Sequence, residues 1–162
     1  MKILLAVDGS ECSDCAVAEV ARLPLPAGSV VHLITVEQPV CPPLHTEALP
    51  TAFDKVVEQF RMESLGRLRA SASQLQRLAP HLQVVPMLVE GQPKEVIIGE
   101  AERWAADLIV VGSHGYGPLR RFFLGSVSLF VTLHAPCSVL VARCRQGAAP
   151  DGPESRAGTD EP

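Results

Sequence analysis

The sequence predicts an α/β protein built on an open, doubly wound, five-stranded parallel sheet in the order 3-2-1-4-5, with helices on both faces. Three observations predict it. Residues 2–7 (KILLAV), 30–36 (VVHLITV) and 108–111 (LIVV) are short and apolar almost throughout, as interior parallel strands covered on both faces are. Between successive strand-like runs lie segments long enough to hold a helix, so the chain reads β-α-β-α-β-α-β-α-β. Finally, 162 residues with an apolar fraction of 47% suffice for one core and do not call for two.

The first strand, residues 2–7, stops at Asp8-Gly9-Ser10. A carboxylate just past a central strand sits where open parallel sheets bind ligands. Asp8 and Ser10 also suit the cap of the next helix, and the two roles are compatible. Residues 12–23 set Cys15, Ala16, Val20 and Leu23 on one helical face with Glu19 and Arg22 outward, and Pro24 and Pro26 end the segment. Residues 30–36 form the second strand after the turn Ala27-Gly28-Ser29. His32 within it reads as a satisfied or half-exposed histidine. Pro39, Pro42, Pro43 and Pro50 make residues 37–50 a surface loop beyond that strand, on the rim of any cleft there. Cys41 and His45 in this loop lack partners in sequence, so no metal site is expected.

Residues 51–79 carry Phe53, Val57, Phe60, Leu68, Ala72, Leu75 and Ala79 at helical intervals and predict the longest helix, with Gly66 as the place for a bend or break. Residues 82–89 (LQVVPMLV) are the third strand. Pro86 cannot donate a ladder hydrogen bond, which puts this strand at an edge. Gly91-Gln92-Pro93 leads into a helix ending near Trp104, which reads as core or as a lid on the bottom of the sheet. The fourth strand, 107–111, ends in Gly112, Gly115 and Gly117, followed by Arg120, Arg121, Gly125 and Ser126. Residues 126–134 form a helix with Val127, Phe130 and Val131 inward, and residues 137–141 (CSVLV) are the fifth strand. The domain therefore spans 1–143, and the Pro- and Gly-rich residues 144–162 are expected to be a flexible tail.

In the order 3-2-1-4-5, strands one and four are neighbours where the winding reverses. Asp8 and Gly112 lie at their C-terminal ends, so two separately suspicious stretches become one site. Glycines let bare amides approach an anion, and a helix starting at Ser126 presents its N–H groups to the same point. Arg120 and Arg121 either screen a phosphate or face solvent. The spacing is neither a P-loop, since no lysine follows the glycines, nor a GxGxxG opening the first helix.

Gly112-x2-Gly115-x9-Gly125-Ser126 is similar, position by position, to the nucleotide-binding pattern G-x2-G-x9-G-[S/T] of the universal stress protein family. Residues 3–10 (ILLAVDGS), Gly91-x-Pro93, 105–112 (AADLIVVG) and 134–141 (HAPCSVLV) resemble that family as well, so the resemblance covers 1 to about 143. It implies an ATP-binding stress-response or signalling module, with ADP or AMP as other occupants and Mg2+ as a companion ion. It implies Asp8 at the ribose or adenine side and Val36 against adenine. Gly112, Gly115, Gly125 and Ser126 would hold the phosphates, and Val127 would contribute backbone. It further implies a homodimer paired through the last strand, residues 137–141.

Two other functions compete with this reading. One is weak Mg2+-dependent ATP hydrolysis or phosphoryl transfer, for which no catalytic residue stands out; His114, flanked by glycine, is as easily solvent-facing. The other is thiol redox work by Cys12-x-x-Cys15, at a helix start where backbone amides favour a thiolate. Fourteen basic against 18 acidic residues, net charge -4, leave no footprint for nucleic acid. The N-terminal run meets Asp8 too soon for a signal peptide and no run has the length of a membrane span, so a cytoplasmic protein is expected. Five cysteines, an odd number without an export signal, argue against a disulfide framework, and most are expected to be reduced thiols.

Overall fold

Apolar strands that need cover on both faces, joined by helices, can satisfy each other as one parallel sheet between two helical layers, and that is the architecture found. The structure, a computed structural model, describes residues 1–39, 50–115 and 124–144. Expectations placed on Cys41, His45, Gly117, Arg120, Arg121 and residues 145–162 lie outside the described residues. In chain order the elements are β1 Lys2–Ala6, α1 Glu11–Arg22, β2 Val30–Glu37, α2 Pro50–Leu78, β3 Gln83–Glu90, α3 Pro93–Trp104, β4 Leu108–Gly112, α4 Ser126–His134 and β5 Ser138–Ala142. The sheet order is β3-β2-β1-β4-β5 and every pairing is parallel.

Alternate residues of each strand feed the two cores. Ile3, Leu5, Val31, Leu33 and Val110 pack with Ala16, Val17 and Val20 of α1 and with Leu68, Leu75 and Ala79 of α2. Leu4, Ile34, Ile109 and Val111 pack on the other face with Ile97 and Ala101 of α3 and Val131 of α4. The chain winds one way from β1 through β2 to β3, then returns to β4 beside β1, which opens a crevice above those two strands. β3 is an edge strand, as Pro86 requires, and β5 is the other edge. His32 is satisfied: its ring stacks on Trp104 with centroids 3.5 Å apart, and its Nδ1 lies 3.3 Å from Glu100 Oε1.

Three expectations change. Helix α2 runs unbroken through Gly66, because a glycine weakens a helix without removing a hydrogen bond as proline would. Its first half does not reach the core: Val57 and Phe60 are exposed, Phe60 by 53%. At 29 residues the helix is about 43 Å long, whereas an eight-residue strand covers about 26 Å, so one end must overrun the sheet. Lastly, Cys15 and Cys144 are joined by a disulfide, and Cys12 and Cys137 are free. Against an expectation that most thiols are reduced, one pair is bonded, and Cys144, expected to begin a free tail, is tied to α1. The fold brings the first turns of α1 and the exit from β5 together, with the two Cα atoms 5.6 Å apart, inside the range a disulfide spans.

Candidate functional site

The site grows from the register of two strands. Ile3 to Ala6 of β1 lie opposite Leu108 to Val111 of β4, so both strands end at the same height. Their continuations, Asp8 on one side and residues 112–115 on the other, meet above the crevice. A cavity of about 620 Å³ opens there. Asp8, Val36, Gly112, Gly115, Gly125, Ser126 and Val127 all line it, although they come from four separate stretches of chain.

Local chemistry explains how each is held. The Ser10 N–H donates to Asp8 Oδ1 at 2.9 Å, closing a turn in which Gly9 takes φ 86°. Ser10 then caps α1 by accepting from the Ser13 N–H at 3.3 Å. On the outer side of Asp8, a Cβ placed on Gly115 would stand 2.6 Å from Asp8 Oδ2. Gly112 is held as tightly from below, since a Cβ there would stand 2.8 Å from the Cys12 carbonyl carbon and oxygen. Both glycines are therefore positions where the backbone approaches a neighbour closely.

The start of α4 is tied to the end of β4 by two bonds. The Gly125 N–H donates to the Ser113 carbonyl at 2.8 Å, and the Ser128 hydroxyl donates to the Gly112 carbonyl at 2.6 Å. The N-cap of α4 is Gly125 itself, which has no side chain to accept from the first-turn amides as Ser10 does for α1. An uncapped helix start that lines a cavity offers those N–H groups and the positive end of the helix dipole to an anion.

The opposite wall is apolar. Ile34 and Val36 of β2, Pro93 and Ile97 of α3, and Val127 and Leu129 of α4 line it, a surface suited to a flat ring. The sequence places Pro93 at a helix start and nominates neither Pro93 nor Ile97 for a site; Gly91-x-Pro93, at the start of α3, was the available signal. Ser13, Ser113 and Ser128 were also missed, because isolated serines carry no pattern. Ser113 is buried, and its hydroxyl lies 3.1 Å from His114 Nδ1. The Ser10 hydroxyl donates to the His114 carbonyl at 3.3 Å, so His114 belongs to the wall between the two strand ends.

Asp14, on the first turn of α1, has its carboxyl pushed above the usual range, first by partial burial and then by the charge of Asp8. The cavity thus carries the Asp8 carboxylate on the β1 side and the uncapped helix start on the α4 side. Among the described residues no group of three His, Cys, Asp or Glu side chains is placed to hold a metal ion, and no helix is long and apolar enough to cross a membrane.

Residues 1–143 match the universal stress protein family. The universal stress protein in the QAH/OAS sulfhydrylase 3'region of Thermus aquaticus is 34% identical over 145 residues, covering 87% of this chain and 97% of its own. Among solved structures, the protein MJ0577 superposes with a TM-score of 0.75 at 26% identity, over 90% of this chain and 97% of its own. The Arabidopsis thaliana family protein At3g01520, solved with AMP bound, superposes with a TM-score of 0.64 at 21% identity, over 90% and 93%. At that identity the last of these carries the fold.

Proposed function

The chain belongs to the universal stress protein family, and from that premise we propose that it is an adenine-nucleotide-binding stress-response or signalling module, with the nucleotide in the cleft between the ends of β1 and β4. Fold and family support a nucleotide-binding module; ATP is the occupant proposed, with ADP or AMP in the same place. One observation carries the reading: seven residues nominated for a nucleotide from four stretches of sequence line a single cavity of about 620 Å³, within the usual range for such sites.

The cavity's two walls suit the two ends of the ligand. Val36, Ile97 and Val127 would lie against adenine, and Asp8 would take the ribose. Gly112, Gly115 and the amides of Ser126 and Val127 would take the phosphates, with the Ser126 hydroxyl beside them. Mg2+, accompanying ATP, would supply neutralising charge at the phosphates. That the relative At3g01520 holds AMP supports an adenine nucleotide as the ligand class.

The test is a titration of the purified chain with ATP and AMP in a calorimeter, beside an Asp8→Ala/Gly125→Ala double variant. The native chain is expected to bind and the double variant to lose binding. Unchanged affinity in the variant removes the proposal, as does a native chain that binds neither nucleotide.

A further inference from the structure

Three cysteines converge on the first turn of α1, next to the cleft but outside it. Cys12 and Cys15 lie three residues apart on α1, where side chains are neighbours with Cβ atoms roughly 5–6 Å apart. Cys15 is bonded to Cys144, whose Sγ also lies 3.0 Å from the carbonyl oxygen of Glu11, the residue before Cys12. Cys12 is a free thiol, half-buried. A disulfide with a third thiol one helical turn away is arranged for exchange, which proceeds by attack of a thiolate on a disulfide sulfur.

Ser113 connects this cluster to the cleft. It is 2% exposed, and its groups bond in four directions. Its hydroxyl donates to Cys12 Sγ at 3.7 Å and also meets His114 Nδ1. Its N–H donates to the carbonyl of Ala142, two residues before Cys144, at 2.7 Å, and its carbonyl accepts from the N–H of Gly125, the N-cap of α4. Ser113 therefore touches Cys12 directly, the strand end leading to Cys144, and the helix start proposed for phosphate.

We infer that Cys12, Cys15 and Cys144 form a thiol–disulfide exchange site in which Cys12 competes with Cys144 for the sulfur of Cys15, and that Ser113 carries the outcome to the phosphate end of the cleft. In the exchange the Cys12 thiolate attacks Cys15 Sγ. The Cys12–Cys15 bond forms as the Cys15–Cys144 bond breaks, and the electron pair leaves on Cys144 Sγ, which takes up the proton that Cys12 released. One disulfide is lost and one gained, so no electrons enter. Full reduction to three thiols takes two electrons and two protons from a dithiol reductant. Forming the new bond requires the first turn of α1 to close its Cys12–Cys15 Cβ separation to the about 4 Å of a disulfide. Exchange draws Cys12 away from Ser113 and frees Cys144, so both supports of Ser113 loosen together. The pinned form holds Gly125 and residues 112–115 in their binding geometry, and the exchanged form does not.

As a regulator of nucleotide binding the site rests on the function proposed above, so the test carries a readout that needs no nucleotide. The full chain, with Cys12→Ser and Cys144→Ser variants, is equilibrated over a series of reduced-to-oxidised dithiothreitol ratios and quenched with acid. Disulfides are mapped by mass spectrometry of non-reduced peptides, hydrogen exchange is followed at the amides of Ser113 and Gly125, and ATP affinity is measured on each form. The native chain is expected to yield both Cys15–Cys144 and Cys12–Cys15, Cys12→Ser the first, and Cys144→Ser the second. The two amides should exchange, and ATP should dissociate, at least about fivefold more readily in the Cys12–Cys15 form. Should Cys144→Ser fail to fold, the native mixture at intermediate ratios provides the same comparison. Absence of a Cys12–Cys15 bond at every ratio overturns the inference, as does equal amide exchange in the two linked forms. A chain that binds no ATP in any form removes the nucleotide reading, while the linkage map and amide exchange still decide the exchange site.

Discussion

Gly112→Ala is expected to destabilise the fold by steric conflict with α1, and the size of the effect follows from the geometry. Gly112 ends β4 with ordinary strand backbone, so its need for glycine is one of clearance. A Cβ there would lie 2.8 Å from the Cys12 carbonyl carbon and oxygen and 3.0 Å from Cys12 Cβ, where ordinary contact begins at 3.4 Å. The overlap is about 0.6 Å against the first turn of a helix, and backbone atoms cannot swing aside as a side-chain tip does. Overpacking of this kind costs about 1–3 kcal/mol, offset by the roughly 0.5–1 kcal/mol that alanine gains over glycine in a strand. A net loss of about 1–2 kcal/mol remains, and for a chain of this length each kcal/mol moves Tm by about 2–4 °C. Thermal unfolding of Gly112→Ala should therefore fall by roughly 2–8 °C. Gly66→Ala is the control, because a Cβ at Gly66, inside α2, meets nothing within 4 Å. That substitution should stabilise by about 1 kcal/mol, raising Tm by about 2–4 °C. A Gly112→Ala protein that melts at or above the native chain refutes the packing argument; a Gly66→Ala protein that melts lower refutes the account of α2.

Asp14 gives a pH signature: its folded pKa lies above the ordinary 3.8, so its contribution to stability is complete below that value and is lost as pH rises through the raised folded pKa. Urea midpoints of Asp14→Asn and the native chain, measured across that window, should diverge in favour of Asn as pH rises and run parallel above it; parallel curves throughout would exclude the effect. The Cys15–Cys144 bond spans 129 residues of sequence, so closing that loop should stabilise the oxidised chain by at most about 5 kcal/mol over the reduced one. Denaturant midpoints should show the oxidised chain higher, and reduced native protein should match Cys15→Ser; equal midpoints in both redox states would refute it.

The fold was legible because it depends on features that are local. Continuous apolar runs, proline at an edge strand and helical spacing each act within a few residues, and together they leave the parallel sheet and its order. Asp8 and Gly112 became one site through that order alone, since strand adjacency fixes where strand ends meet. What was not legible depends on distances between parts remote in sequence. Cys15 and Cys144 share no local pattern, and an odd cysteine count says nothing about a single pair. The outward Val57 and Phe60 carry the same spacing as the buried Leu68 and Leu75; only the length of α2 against that of the sheet separates them. Ser113 connects Cys12, Ala142 and Gly125, yet one serine beside a glycine has no signature.

The glycine spacing also proves to combine two different physical demands. Gly112 is required by a neighbour within the chain, the Cys12 backbone, and would be required with no ligand at all, whereas a Cβ at Gly115 would meet only the tip of the Asp8 side chain, which can turn aside. Gly125 is different. A Cβ there would meet the Ser113 carbonyl oxygen at 3.3 Å and the His114 Cα at 3.4 Å, tight contacts that call for a shift of a few tenths of an ångström, less than the overlap at Gly112. Serine, threonine or aspartate at that N-cap would satisfy a first-turn amide of α4, as Ser10 does for α1, and such caps are worth about 1 kcal/mol over alanine, with glycine a few tenths behind. Glycine at 125 forgoes that small gain and leaves the amides of a helix start open on a cavity. Packing accounts for Gly112; under the proposed function an acceptor from outside the chain would account for Gly125, the position at which the family pattern and the physics of an anion site make the same demand.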